Sequence, residues 1–347
     1  MKPLHETNMA DCAIRCDRMV SLHYVAAADI DAFLQDRAGR VACVIGYGSR
    51  PVPSTRAGVP VLWLDIPVLG SDLAYEVWTA DKPVVHYQDG IISGAGNDDI
   101  FFGRLSFQAG SGDNLSDVTF EAFSAIFEFL QHCKHPHLIR VWNYFPEINA
   151  IKQEMERYRG FSKGRHEAFT RYRRKVEESP AACALGSHGG PLVIYFLASR
   201  MPGLQVENPR QISAYAYPEQ YGPRSPTFSR ATLAFEGDSQ TLFISGTASI
   251  IGHETVHPDS IEKQAQETLV NIRAVIDQAI ARGFPRPVIA NDLSLKVYVR
   301  HARDFGSVMC VIREELGNVH DMLVLQADIC RSDLLVEIEA VCRSSAR

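Results

Sequence analysis

The residues of this 347-residue chain best placed for chemistry stand near its end, in Leu334-Leu-Val-Glu-Ile-Glu339. Read as a strand, successive side chains alternate faces. Leu334, Val336 and Ile338 take one face, and Leu335, Glu337 and Glu339 the other. Burying two carboxylates on one face is costly unless they find partners. Two arrangements satisfy the pattern: a sheet edge with solvated glutamates, or a polar cavity. In a cavity, burial raises a carboxyl pKa and makes the group a competent general acid.

Other motifs carry less. His253-Glu-Thr-Val-His257 has the spacing of a zinc-protease helix. That chemistry needs both histidines on one helical face. Gly252 precedes the motif, Pro258 follows it, and the nearest helical pattern starts after Asp259, so no metal is expected. Gly46-Tyr-Gly48 and Gly94-Ala-Gly96 are too short for a dinucleotide loop, and no cofactor is expected. The eight cysteines are scattered without a Cys-x-x-Cys pair, which reads as reduced thiols. A net charge of −6 offers no global field for nucleic acid or an anionic membrane, so an anionic substrate would need local arginines. The basic run at 171–175 reads as a solvated helix face. The first 18 residues lack the apolar core of a signal peptide, and no run is long enough to span a membrane. The expectation is a cytoplasmic protein acting on a small molecule.

The elements that would position these residues alternate between strands and helices. Short apolar runs at 41–46, 61–68, 83–87 and 101–107 read as strands, with residues 1–25 loosely structured. Ser116 is placed to cap a helix whose stripe is Phe123, Ile126, Phe127 and Leu130. A strand at 137–144 follows, then a charged helical segment at 147–178 with weak points at Gly160 and Gly164, then a strand at 191–197. Residues 202–229 form a long irregular stretch, which in a compact protein is more often functional than idle. Beyond it come strands at 230–235 and 241–245. A helix follows, with capping-box spacing from Asp259 to Glu262 and the stripe Ile261, Ala265, Leu269, Ile272 and Ile276. Strands at 295–300, 322–327 and 334–341 close the chain, with a helix capped by Asp304 after the first of them. Ile139-Arg-Val-Trp-Asn-Tyr-Phe and Leu295-Lys-Val-Tyr-Val-Arg-His are similar runs at similar places, suggesting one α+β unit used twice. The expected division is residues 1–190 and 191–347.

Residues 230–342 carry Ile244-Ser-Gly-Thr-Ala248, a long helix, Leu295-Lys-Val-Tyr-Val-Arg300 and Val336-Glu-Ile-Glu-Ala340 in that order. Together they resemble the YjgF/RidA (reactive-imine deaminase) fold. The resemblance implies a mixed sheet backed by two helices, with the first glutamate of Val-Glu-Ile-Glu in the ligand pocket. The usual carboxylate-binding arginine of that family has no counterpart, and Met322 lies near its place. A closer resemblance covers most of the chain. Tyr158-Arg-Gly-Phe-Ser-Lys-Gly-Arg165-His-Glu-Ala-Phe169, Asn208-Pro-Arg-Gln-Ile-Ser-Ala-Tyr-Ala-Tyr217-Pro and Phe228-Ser-Arg230-Ala look like the chorismatases, two-lobed relatives of the YjgF fold. It implies cleavage of chorismate to pyruvate and a cyclic acid without a cofactor, with Glu337 as catalytic acid and Tyr158, Arg165, Tyr217 and Arg230 binding substrate. Cys330 stands where the family's cysteine accompanies 3-hydroxybenzoate formation, whereas Ala248 replaces the glycine of that type. 3-Hydroxybenzoate, 4-hydroxybenzoate and a dihydrodiol all stay open as products, and the chain could be a monomer or a trimer. The rivals are another enol or imine hydrolase or deaminase on this scaffold, and a non-catalytic ligand-binding protein.

The chemistry suits these residue types. A guanidinium fork holds a carboxylate through two hydrogen bonds and keeps its charge. A tyrosine can pack on a ring while donating a hydrogen bond. Tyr158 and Arg165 are seven apart and share a face if helical. Any one of these arginines could instead be an ordinary surface ion pair.

Overall fold

The computed structural model describes residues 20–48, 55, 59–108, 114–236, 239–285 and 288–343. It opens with a sheet that the sequence reading did not foresee. β1 (Val20–Ala26), α1 (Ile30–Asp36), β2 (Val41–Tyr47), β3 (Leu62–Leu64) and β4 (Leu73–Ala80) form a four-stranded sheet in the order β1-β4-β2-β3. Part of the segment expected to be loose is therefore β1, paired antiparallel along β4 from Val20–Ala80 onward. Residues 1–19 lie outside the described residues. β4 escaped notice because Glu76 interrupts its apolar run, yet Glu76 is completely buried.

The next unit comprises β5 (Val85–Asp89), β6 (Ile92–Gly96), β7 (Ile100–Phe107), α2 (Leu115–His132), β8 (His137–Pro146), the small hairpin β9 (Ile151–Lys152) and β10 (Met155–Glu156), α3 (Arg157–Arg171), β11 (Ala181–Ser187) and β12 (Leu192–Ser199). The last comprises β13 (Leu204–Val206), β14 (Ala231–Glu236), β15 (Ser239–Thr247), the hairpin β16 (Ile250–Ile251) and β17 (Glu254–Thr255), α4 (Ile261–Ala281), β18 (Leu293–Val299), α5 (Phe305–Leu316), β19 (Asp321–Gln326), β20 (Asp328–Ile329) and β21 (Val336–Arg343). One sheet runs β20-β11-β8-β12-β7-β6-β5 and the other β13-β14-β15-β21-β18-β19. Leaving aside β20 and the hairpins, both sheets order their strands first, second, third, sixth, fourth, fifth. The expected α+β architecture of two lobes, each a mixed sheet backed by helices, is the one observed. The expected division after residue 190 is too early: β12 pairs with both β7 and β8, inside the first lobe.

Helix ends differ from expectation by small, explicable amounts. Asn114, not Ser116, caps α2, its side chain accepting from the Ser116 N–H. Ser260, not Asp259, caps α4 through the Lys263 N–H at 3.3 Å. Asp304 stands at the start of α5 without a side-chain cap bond. The helical segment 147–178 narrows to α3, because Gln153 and Glu154 at φ 50° and 64° turn the β9–β10 hairpin and Arg173 at φ 52° ends the helix.

Apolar layers cover both faces of the sheets, α1 packing on the first of them through Ile30 and Leu34. α2 and α3 cover the outer face of the first lobe through Phe123, Phe127, Phe145, Phe161 and Phe169. α4 and α5 cover the second lobe, against Val336, Ile338 and Val297. The inner faces of all three sheets share one core containing Ile45, Trp78, Trp142, Tyr195, Phe243 and Tyr298. Gly164 permits α3 to lie on α2, since a Cβ there would come 2.0 Å from the Ser116 carbonyl oxygen. Backbone cannot yield as a side chain does. We expect Gly164→Ala to destabilise the protein by about 2 kcal/mol, overpacking outweighing the better helix propensity of alanine; chemical denaturation measures it.

Candidate active site

β21 is not an edge strand: β15 flanks it on one side and β18 on the other. Its helix-side residues Val336 and Ile338 are buried, and so are Glu337 and Glu339 on the inner face, each 4% exposed. The solvated-edge arrangement is thereby overturned. The two carboxylates project into the interior where the lobes meet, and their surroundings differ.

Glu337 lines a small cavity with Tyr158 and Arg165 from α3, Cys183 from β11, Phe228, and Cys330 from the link between β20 and β21. Space for it exists because residue 246 is glycine: a Cβ at Gly246 would lie 1.9 Å from Glu337 Oε1. Glu337 has no ion-pair partner among the described residues. Burial pushes its carboxyl up to about 8, and the nearby Glu339 charge pushes the same way, against Arg140 and Arg300. The acid form therefore dominates at neutral pH. Burial and then Glu337 raise the Cys330 thiol to about 12, and burial with Glu339 holds Cys183 well above its usual range. Both sulfurs face the cavity as neutral thiols, not as nucleophilic thiolates.

Arg165 is the unusual cation. It is 3% exposed, and its guanidinium stacks 4.9 Å from the Phe123 ring centroid. Its Nε and one terminal nitrogen have no hydrogen-bond partner among the described residues. Burial lowers its pKa to about 10. A buried guanidinium lacking a counter-anion is unfavourable unless something anionic joins it. Tyr158 lies beside it, its phenol raised well above the usual range by burial and then by Cys330.

Glu339 has the opposite setting. It is ion-paired with Arg140 of β8 and, at 2.8 Å, with Lys296 of β18, and it accepts from Tyr298 OH at 3.0 Å. Burial alone would raise its carboxyl, but Lys296 and Arg140 override that and hold it below the usual carboxylate range. One face of one strand thus carries an acid and an anion side by side, the arrangement by which paired carboxyls divide their roles.

The long stretch between β13 and β14 folds over this region. Arg230 donates to Tyr217 OH and to the Ile212 carbonyl, each at 2.8 Å, and lies 5.2 Å from the centroid of the Phe228 ring. Arg331 sits over Tyr221 at 4.0 Å and donates to the His253 carbonyl at 2.8 Å. Arg300 donates to the carbonyls of Leu334, Ile329 and Arg331 and to Asp328, fixing the link that carries Cys330. A larger cleft of about 1240 Å³ opens elsewhere, between the β5–β6 hairpin and the end of α2. Its acids and arginines, Asp89, Glu128, Arg171 and Arg173, are all exposed, and Glu128 accepts from Tyr172 OH, so it has no buried carboxyl beside a buried guanidinium.

The family model described as Chorismatase FkbO/Hyg5-like, N-terminal, matches residues 76–198. A 3-hydroxybenzoate synthase from Streptomyces hygroscopicus is 37% identical over 313 residues, 86% of this chain and 90% of that protein. The chain belongs to the chorismatase family. A chorismatase from Streptomyces rapamycinicus is 37% identical over 276 residues, 77% of this chain and 81% of its own. A chorismatase crystal structure matches with a TM-score of 0.83 at 32% identity, covering 93% of this chain and 97% of that one. The matched family segment ends within β12, in keeping with the later lobe boundary.

Of the residues singled out from the chorismatase resemblance, the fold gathers Tyr158, Arg165, Cys330 and Glu337 around one cavity. Tyr217 and Arg230 pair with each other beside it, separated from it by Phe228. Ala248 does not line this cavity. It is packed in the shared core, its carbonyl accepting from Asn271 at 3.1 Å. The cavity-forming residue of that motif is Gly246, two positions earlier. The zinc-like motif is a hairpin, with Glu254 in β17 and His257 at φ 60°, so its histidines share no helical face. Sequence reading also passed over Arg140, Cys183, Lys296 and Glu76. Arg140 and Lys296 were legible in principle: each begins an inward-facing alternation, Arg140-Trp142-Tyr144 and Lys296-Tyr298. Glu76 gave no signal, because its strand was not recognised.

Proposed function

We propose that this chain cleaves the enolpyruvyl ether of chorismate to pyruvate and 3-hydroxybenzoate, with Glu337 as the general acid. The observation that carries this reading is the juxtaposition, in one cavity, of a neutral buried carboxyl and a buried guanidinium without an anion. Arg165 takes a substrate carboxylate, with Tyr158 against the ring and Tyr217 and Arg230 closing the pocket through the loop. The Glu337 proton goes to the methylene carbon of the enol ether, creating an oxocarbenium ion. The neighbouring ring hydroxyl then attacks the ether carbon and displaces the pyruvyl oxygen, releasing pyruvate and leaving a protonated ring epoxide. The bond to the original hydroxyl carbon breaks, and loss of the proton from the carbon that keeps the oxygen restores aromaticity. One proton is taken up and one is returned, and no water is consumed. Cys330 takes part as a neutral thiol beside the ring. The 3-hydroxybenzoate product is favoured by the relative of that name and by Cys330, and 4-hydroxybenzoate is the minor alternative.

Purified protein incubated with chorismate should release pyruvate and 3-hydroxybenzoate in equal amounts, read by a coupled pyruvate assay and chromatography. Absence of pyruvate overturns the reading; pyruvate with a dihydrodiol overturns the product. The acid form of Glu337 is lost as pH rises through about 8, so kcat/KM should fall tenfold per pH unit above that value. Arg165→Met should lower kcat/KM by about 10- to 100-fold, mostly through KM, as expected for losing a charge-assisted hydrogen bond. The same change should raise the melting temperature of the free protein, because it removes an unpaired buried charge. Calorimetry without substrate checks the second outcome.

A further inference from the structure

We propose that Lys296 and Glu76 are positioning residues for this reaction: Lys296, held by Glu76 of the first sheet, fixes the Glu339 carboxylate next to the acid Glu337. The four-stranded sheet is then part of the catalytic apparatus, and not merely packed against it. The inference rests on Glu337 being the acid.

The geometry is specific. Lys296 bridges Glu76 at 2.6 Å and Glu339 at 2.8 Å, with both partners' side chains at most 5% exposed. Glu76 is itself immobilised from several strands. Its Oε2 accepts from Tyr47 OH of β2 at 2.6 Å, and its Oε1 from the Trp78 indole at 2.7 Å and Tyr195 OH of β12 at 3.2 Å. Tyr195 OH also lies 3.1 Å from the Lys296 ammonium. Burial works against the lysine charge, but Glu339 and Glu76 override it and hold Lys296 well above its usual range. Lys296 and Glu339 are directly opposed in the β18–β21 register, so a fixed lysine fixes the carboxylate. Tyr144 and Tyr298 join their hydroxyls at 2.6 Å beneath the same group.

The chain of contacts ends at the acid. Glu339 and Glu337 are consecutive inward-facing residues of β21, and every Glu339 contact is with a donor. Around Glu337 the other ionisable groups include Arg140 of β8, Arg300 after β18, Tyr158 and Arg165 of α3, Cys183 of β11 and Cys330, with Arg331, Tyr217 and Glu156 acting in turn on Tyr158 or Cys330. The Glu339 charge opposes ionisation of Glu337, whereas Arg140 and Arg300 favour it. Two anions and two cations, Glu76, Glu339, Lys296 and Arg140, are buried where apolar residues of similar size would cost less. Their placement gives that cost a catalytic return.

The test is the pH profile of pyruvate release from chorismate for four variants of the full chain, with folding checked by circular dichroism. In Glu339→Gln the opposing anion is gone and Arg140 is freed, so Glu337 ionises more readily. The alkaline limb of kcat/KM should move down by about one pH unit, the scale of a like-charge neighbour. Glu76→Gln should move it in the same direction by less. The double variant Glu76→Gln with Lys296→Met removes a buried pair together. It should lose at least about tenfold in kcat, with KM little changed, the signature of misplaced catalytic groups. Difference infrared spectroscopy of the protonated Glu337 carboxyl, assigned by its absence in Glu337→Gln, gives the same titration without turnover. Limbs and infrared midpoints that stay at the wild-type value in Glu339→Gln and Glu76→Gln overturn the positioning role. Retained turnover in Glu337→Gln overturns the acid assignment instead, so the two failures are distinct.

Discussion

Glu337→Gln should lower kcat by about 10²- to 10⁴-fold, the range for loss of a positioned general acid, while substrate binding persists. Glutamine keeps the volume and polarity of the side chain but cannot give up a proton to carbon. The fold should not suffer, because the group it replaces is already neutral at neutral pH. Its pH dependence has a definite sign. The folded-state pKa, about 8, lies above the ordinary value near 4.5, so the stabilising contribution is complete below 4.5 and is lost as pH rises through 8. The melting temperature of Glu337→Gln relative to wild type should therefore climb between these values. Single-turnover kinetics and calorimetry across pH check both statements. Wild-type turnover in the variant would remove Glu337 from the chemistry.

Gly246→Ala should be nearly as damaging to catalysis with a much smaller effect on stability. The added Cβ would fall 1.9 Å from Glu337 Oε1 and 3.2 Å from Cys183 Cβ. The first obstacle is the far end of a flexible side chain, so the carboxyl swings aside and the backbone stays. An acid displaced by an ångström or more loses its alignment with the enol carbon, a change worth about 10²-fold in rate. The contrast with Gly164→Ala is instructive. There the obstacle is the Ser116 carbonyl, which cannot move alone, so the penalty falls on stability. Circular dichroism with steady-state kinetics on both variants separates the two cases; a Gly246→Ala enzyme with normal kcat would show that Glu337 has another productive position.

The fold was legible where local periodicity is strong. The stripes of α2 and α4, the alternation of β21 and the paired runs around Arg140 and Lys296 were all readable, because a period of 3.6 or 2 reports which side a residue faces. The motif runs through Tyr158 and Arg165 and through Tyr217 and Arg230 carried the family. β1 and β4 were not legible, since a half-buried strand with a histidine and a strand interrupted by Glu76 both break the apolar pattern.

For the last strand, the sequence by itself determined that Glu337 and Glu339 share a face, and nothing more about that face. Only the tertiary structure decided that it is buried, and that one carboxyl is an acid and the other an anion. The partners responsible are remote: Arg140 lies 199 residues from Glu339, and Glu76 lies 220 from Lys296. A carboxyl's proton affinity depends on lost water and on the charges packed against it. Both are set by how three sheets meet, which no local pattern encodes.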